Sequence, residues 1–163
     1  MSTTDACFVV KEIINKYKAS EGVLTFIDLT KAFDSVDHFV LRKKMLQKNL
    51  PVDNVYILLH YLRNQMACVK WKHHESQPLY VNQGVRQGGV LSPFLFKFYI
   101  NDLLNEISQM NEGCIIGIHR INIIAYADDI VLCAASEQQM NNIYAKFSQY
   151  IDDLNLKINL EKN

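Results

Sequence analysis

Two adjacent aspartates, Asp128 and Asp129, interrupt the most apolar stretch of this chain, INIIAYADDIVLCAA at 121–135. Burying a carboxylate without a partner is costly, so a tight turn between two strands is the structure that would leave both acids at a sheet edge. Adjacent carboxylates repel unless a cation lies between them, and magnesium prefers such hard oxygen ligands. The alternative is an ordinary solvated turn, the interpretation we favour for Asp152-Asp153.

A third acid, Asp28, stands near the end of another apolar run, VLTFIDL at 23–29, which predicts a strand. Two acidic sites at strand ends suit a two-metal centre for phosphoryl transfer. A hundred residues separate Asp28 from Asp128, so their spacing alone does not show that they meet.

The order of predicted elements indicates an α+β fold, an antiparallel sheet with helices packed on one face. Helices are predicted over 3–20, 39–48, 51–63 and 91–110, the last capped by Ser92, and from the Ser136 cap to about 153. Strands are predicted over 23–29, 66–73, 77–82, 114–119, 120–126, 130–134 and 156–160, with a turn at 73–76. The length predicts one domain, 1–163.

Net charge and cysteine content limit the possible functions less than the aspartates do. Lys plus Arg and Asp plus Glu are both 17, so the net charge is zero, which is unusual for a free-standing nucleic-acid binder. The four cysteines form no CxxC pair, and each lies among apolar residues, so we expect buried free thiols and no zinc site.

The Asp pair excludes a membrane span over 121–135. With no signal peptide at the start, we expect an intracellular protein, in cytoplasm or nucleus.

Four segments together resemble the motifs of reverse transcriptases, in the family's order and spacing. FIDLTKAFDSVDH (26–38) resembles motif A, and QGVRQGGVLSPFLFKFYINDLL (83–104) resembles motif B with its glycine loop. YADDIVLCA (126–134) is similar to motif C, and LNLKINLEKN (154–163) to motif D. The sequences of motifs A and B are most like those of non-long-terminal-repeat (non-LTR) retrotransposons, with group II intron enzymes next.

This resemblance implies the palm portion of a right-hand polymerase, with the fingers largely and the thumb wholly absent. It implies an RNA-directed DNA polymerase, a nucleotidyltransferase that adds dNTPs to the 3′ end of a DNA primer on an RNA template. Asp28 and Asp128 would ligate two Mg²⁺ ions, or Mn²⁺, with Asp129 completing the cluster and the carbonyl of Leu29 as a further ligand. Lys162 matches a lysine that donates a proton to pyrophosphate, although an exposed lysine is the simpler interpretation.

The resemblance also implies contacts with the substrates. Phe33 matches the aromatic that lies under the incoming sugar and excludes a ribose 2′-hydroxyl, whereas without the motif it reads as a core residue. The nucleotide would meet Gln87, Gly88 and Gly89, where the missing side chains of the glycines allow close approach, or the two glycines simply form a turn. Template contacts would come from Arg86 and Tyr126, with a solvated arginine as the alternative for the former.

Other basic residues carry weaker expectations. Arg42, Lys43, Lys44 and Lys48 either touch nucleic-acid phosphates or form the solvated face of a helix. His73-His74 has no matching third metal ligand. Two alternatives to an active polymerase stay open from the sequence: a truncated or domesticated remnant that binds nucleic acid or protein, and an unrelated α+β protein.

Overall fold

The computed structural model describes residues 3–159 and contains helices and antiparallel strands in alternation. The helices are α1 (Thr3–Tyr17), α2 (His38–Gln47), α3 (Val52–Arg63), α4 (Ser92–Ser108) and α5 (Glu137–Asp153). The strands are β1 (Val23–Ile27), β2 (Met66–Ala67), β3 (Lys70–Trp71), β4 (His74–Glu75), β5 (Leu79–Tyr80), β6 (Cys114–Ile116), β7 (His119–Ile121), β8 (Ile123–Tyr126) and β9 (Asp129–Ala134). A mixed fold with antiparallel sheets is therefore confirmed.

Helix limits agree with the sequence to within a few residues, and two caps explain why. Asp37 accepts hydrogen bonds from the backbone N–H groups of Phe39 and Val40 at the start of α2, and Ser136 accepts one from Gln139 at the start of α5. Helix α1 ends at Tyr17 rather than at 20. A Cβ on Gly22 would lie 2.6 Å from that of Tyr17, so the chain turns back closely there.

Two strand predictions were wrong in detail. Between 66 and 82 the turn lies at Lys72-His73, because Trp71 pairs with His74 and Lys72 adopts a left-handed φ of 53°. At the C-terminal end, 156–160 does not form a strand within the described residues. Ile158 makes an isolated bridge to Leu29, and position 160 lies outside those residues.

The chain forms two compact units: residues up to Ala32 together with those from Ile100 onward, and Phe33–Tyr99. In the first unit β9 lies centrally, between β1 and β8. Helix α1 packs on the sheet face that carries Cys133 and Ile124, through Ile13. The side chains of Ile130 and Leu132 on the opposite face are buried too, and α5 contacts β9. Both faces are covered, so the expectation of helices on one face only was wrong; β9 is apolar on both faces, as buried strands are.

The second unit contains α2 and α3, which pack through Leu41, Met45, Val55, Leu59 and Leu62. Strands β2 to β5 form a hairpin whose paired residues are all exposed, including the single tryptophan, Trp71, at 71%. No helix within 3–159 has the length and apolarity required to cross a membrane.

The cysteines divide into two pairs, which corrects the expectation of four buried thiols. Cys7 and Cys68 are exposed, whereas Cys114 and Cys133 are buried under α1, and all four are free. Apolar neighbours in the sequence did not predict burial for Cys7, because the part of α1 that carries it is exposed.

Candidate active site

The Asp128-Asp129 pair lies at a tight hairpin, as its sequence context predicts. Strand β8 ends at Tyr126, β9 begins at Asp129, and these two residues face each other across the ladder, leaving Ala127 and Asp128 as a two-residue connection. Ala127 has a φ of 53°, a left-handed conformation that a two-residue hairpin commonly requires but alanine rarely adopts. Asp128 is half-buried and Asp129 exposed, so the turn holds both carboxylates at the sheet edge.

Asp28 reaches the same edge from the other side of β9. Strand β1 pairs with β9 up to Ile27, which faces Ile130. The ladder ends there, and Asp28 is the next residue along the chain, at the strand ends beside the turn between β8 and β9. Asp28, Asp129 and Tyr126 line one cavity at this edge, and we call these three residues the acidic row.

The acidic row opens into a cavity of about 670 Å³ between the sheet and α1. Asp28, Asp129 and Tyr126 line one part of it, and the rest is largely apolar, with Lys11 and Cys7 contributed by α1. Asp128 is not among the lining residues. Asp129 therefore shares this cavity with Asp28, while Asp128 lies at the tip of the turn.

The donor set suits magnesium shared with a substrate better than an all-protein metal cage. Among residues 3–159, no group of three or more His, Cys, Asp or Glu side chains is arranged to hold an ion. Magnesium commonly binds through one or two carboxylates and completes its shell with substrate phosphates and water. Two carboxylates that line one open cavity fit that requirement, and the His73-His74 pair takes part in no such group.

The segment that follows α5 pairs with the backbone around Asp28. The Thr30 N–H donates to the Lys157 carbonyl at 2.8 Å, and the Asn159 N–H donates to the Asp28 carbonyl at 2.8 Å. These two bonds flank Leu29 and use neither its N–H nor its carbonyl, the group expected to contact a metal. Asn159 also donates from its side-chain Nδ2 to Oδ2 of Asp28 at 2.9 Å. Sequence reasoning missed this contact, and Lys162 lies outside the described residues.

The glycine loop of the second unit docks onto residues 33–36, in the later part of motif A. The N–H groups of Gly84 and Val85 donate to the carbonyls of Val36 and Phe33, each at 2.8 Å. Gly84 has a φ of 88°, and a Cβ there would lie 2.8 Å from the Asp34 backbone, so only glycine fits. The buried His38 ring places Nε2 2.7 Å from the Gly84 carbonyl, an acceptor, so Nε2 carries the proton. The sequence offered no signal for His38 or Asp34.

The outer part of that loop remains accessible. Gln87 donates through Nε2 to the Asp34 carboxylate at 3.2 Å, and Gly88, with a φ of 78°, has open space where a Cβ would stand. Gly89 has none, since a Cβ would lie 2.7 Å from Oγ of Ser92. Helix α4 begins at Ser92, so this residue is the first of the helix and not, as predicted, a cap before it. The Ser92 hydroxyl donates to the carbonyl of Arg86 and thereby holds the loop against the start of α4.

Phe33 and Lys44 each have a defined packing partner. The half-buried Phe33 ring lies 5.1 Å from that of Phe96 on α4, an arrangement compatible with both interpretations of this residue. Lys44, expected on a solvated face, is buried with Nζ 6.0 Å from the centre of the Tyr99 ring. It is thereby removed from the candidate phosphate contacts, whereas Lys43 and Lys48 are exposed.

Comparison with known proteins identifies the family. The family model described as "Reverse transcriptase (RNA-dependent DNA polymerase)" matches residues 2–163. The chain therefore belongs to the reverse transcriptase family, as its four motifs indicated.

Curated relatives and solved structures agree with this family. The chain is 28% identical over 153 residues to the retrovirus-related Pol polyprotein of the type-1 retrotransposable element R2 of Nasonia vitripennis, covering 92% of this chain and 14% of the relative. It is 27% identical to the probable RNA-directed DNA polymerase from transposon X-element of Drosophila melanogaster, covering 95% of this chain and 17% of the relative. The fold resembles telomerase from Candida albicans, solved in complex with a fragment of telomeric RNA, with a TM-score of 0.67 at 14% identity over 99% of this chain and 31% of that one.

These matches favour the non-LTR retrotransposon group, as expected, and do not favour a binding module without activity. The chain spans only about a seventh of the R2 relative and a sixth of the X-element relative.

Proposed function

We propose that this chain carries the polymerase active site of a non-LTR retrotransposon reverse transcriptase, its palm, preceded by helix α1 (Thr3–Tyr17). The reaction is RNA-directed DNA synthesis from dNTPs on an RNA template and a DNA primer. One observation supports the proposal: in a chain of this family, Asp28 and Asp129 line the same cavity, beside the turn that holds Asp128.

The acidic row and Asp128 supply the carboxylates for two Mg²⁺ ions, with Mn²⁺ as a substitute and the Leu29 carbonyl as a further ligand. When bound, such ions lower the pKa of the attacking hydroxyl and offset charge on the triphosphate. The chain's own task is to hold its carboxylates at fixed separation. Antiparallel pairing of β1, β9 and β8 does so with backbone hydrogen bonds, which leave little freedom at the strand ends.

In this proposal, residues 33 and 87–89 supply the nucleotide contacts. Gly88 lets the backbone of the loop approach the nascent base pair, since nothing occupies the space beside it. Gln87 is oriented by its hydrogen bond to Asp34. The Phe33 ring excludes a ribose 2′-hydroxyl; it packs against Phe96, and the Phe33 carbonyl accepts a hydrogen bond from the N–H of Val85. Arg86 and Tyr126, both exposed, contact the template, and Lys162 donates a proton to pyrophosphate.

Primer extension on an RNA template with dNTPs and Mg²⁺ tests this function. Asp128→Asn and Asp28→Asn keep the side-chain shape but remove the charge, so extension should fall on the order of 100-fold or more in each. Asp152→Asn, which alters an exposed aspartate at the end of α5, is the matched control and should retain full extension. Undiminished extension by Asp128→Asn would refute the metal assignment.

A further inference from the structure

Asn159 holds Asp28 at two points. Its backbone N–H donates to the Asp28 carbonyl at 2.8 Å, and its Nδ2 donates to Asp28 Oδ2 at 2.9 Å. The bond between Thr30 and Lys157 lies on the other side of Leu29 and closes a short antiparallel bridge. A residue 131 positions away in the sequence thus fixes both the main chain and the side chain of Asp28.

The chemistry of the contact suits an orienting role. An ionised carboxylate only accepts hydrogen bonds, so the amide of Asn159 must present its nitrogen to Oδ2. A bond to one carboxylate oxygen fixes the rotation of the whole group, and hence the direction in which it meets the cavity. Asparagine achieves this without charge, whereas a lysine or arginine in its place would neutralise Asp28 and compete with a bound cation.

We propose that Asn159 is a positioning residue that sets the Asp28 carboxylate for metal binding. The inference rests on the proposed function, since it assumes that Asp28 ligates Mg²⁺. Groups that hydrogen-bond to a metal's protein ligands typically contribute about 10- to 100-fold to metal affinity. Asn159 occupies that place for Asp28, and the bridge at Leu29 and Ile158 supplies the rigidity that makes its orientation effective.

The test compares Asn159→Ala with the unaltered chain in two measurements. The first is binding of Mn²⁺ together with a dNTP, followed by electron paramagnetic resonance. The second is the Mg²⁺ concentration that gives half-maximal primer extension. Loss of the amide should weaken Mn²⁺–dNTP binding and raise the Mg²⁺ requirement about 10- to 100-fold, with extension recovered at high Mg²⁺. Asp28→Asn should not recover at any Mg²⁺ concentration.

Two further variants separate orientation from folding. Asn159→Leu keeps the branched side-chain shape and the backbone N–H but its side chain cannot donate, so it should weaken metal binding as Asn159→Ala does, even if alanine also loosens the bridge. Asn142→Ala removes a comparable amide, which donates to the Glu112 carboxylate at 3.4 Å on the exposed side of α5, and should leave the metal dependence unchanged.

The outcomes are distinct. The positioning role would be refuted if the Asn159 variants kept the metal dependence of the unaltered chain. It would also be refuted if they lost extension and high Mg²⁺ did not restore it. Neither result would contradict the proposed function. If the unaltered chain bound no Mn²⁺–dNTP and Asp28→Asn changed nothing, the proposed function would fail, and the role of Asn159 with it.

Discussion

The thiols of this chain differ in surroundings, and their chemistry should differ accordingly. Burial raises the pKa of Cys133 to about 12, with a smaller contribution from Cys114, and burial also raises the pKa of Cys114. Cys68 is exposed, but its hydrogen bond to Glu75, followed by the charge of that carboxylate, raises its pKa as well. A raised pKa means less thiolate at a given pH, and the thiolate is the reactive form.

We therefore expect Cys7 to react first with a thiol reagent in the folded protein, because it is exposed. Cys68 should follow, and its rate should rise with pH. Glu75→Gln should accelerate Cys68 at constant pH and leave Cys7 unchanged. Cys114 and Cys133 should react only when a denaturant unfolds the chain. Mass spectrometry of the labelled peptides would identify each site, and early labelling of Cys133 would contradict the burial described here.

Asp34 illustrates how a residue acts outside its sequence neighbourhood. Its side chain accepts a hydrogen bond from Gln87, and its backbone leaves no room for a Cβ on Gly84. The resemblance to motif B predicted that Gly88 and Gly89 approach a nucleotide. Gly84, in the same loop, is required for the docking of that loop against residues 33–38, whereas Gly88 has open space beside it.

Between elements, Asn122 joins the end of α4 to the strands that lead to the Asp pair. It is buried, and its Nδ2 donates to the carbonyls of Ile107, Met110 and Glu112 at 2.6, 3.5 and 3.3 Å. The Ile107 carbonyl also accepts from the N–H of Met110, so the Asn122 amide adds a second bond there and ties the end of α4 to the segment that follows it. The backbone carbonyl of Asn122 accepts a hydrogen bond from the backbone N–H of Cys133 on β9.

Asn122→Ala should lower the free energy of unfolding by about 1–3 kcal/mol, because it removes a buried amide and the hydrogen bonds that this amide donates to the end of α4. Urea unfolding followed by circular dichroism would measure the change. The control is Asn142→Ala, an exposed amide whose loss should change stability by less than about 0.5 kcal/mol. Equal stability of the two variants would show that water or a neighbouring group replaces the Asn122 amide.

For the whole molecule, charge balance is the dominant surface property. Lys plus Arg equals Asp plus Glu at 17 each, and the isoelectric point is about 6.9. Large apolar side chains are also exposed, Val90 and Ile118 above 90%. Molecules without net charge repel one another least, so exposed apolar groups then favour association.

Solubility should consequently be lowest near pH 7 and rise toward both pH 5 and pH 9. Light scattering of the purified chain across this range, at constant ionic strength, would show the minimum. The matched variant Lys18→Glu, at an exposed position after α1, shifts the net charge by two units toward negative and should move the minimum to lower pH. A minimum that does not move would indicate association through apolar surface alone.

The sequence by itself determined the family, the kinds of elements and the residues of the candidate site, because these depend on local patterns. Apolar strands ending in aspartate, caps at Asp37 and Ser136, and the order of four motifs all act over short distances. It did not determine which residues meet. The pairing of β1 and β8 with β9 brought Asp28 and Asp129 to one cavity, and the bridge at Leu29 brought in Asn159. Burial of Lys44 and exposure of Cys7 likewise followed from packing. Contacts between distant segments depend on register and close packing, which only the tertiary structure decides, because one residue's neighbours in space are set by the whole chain.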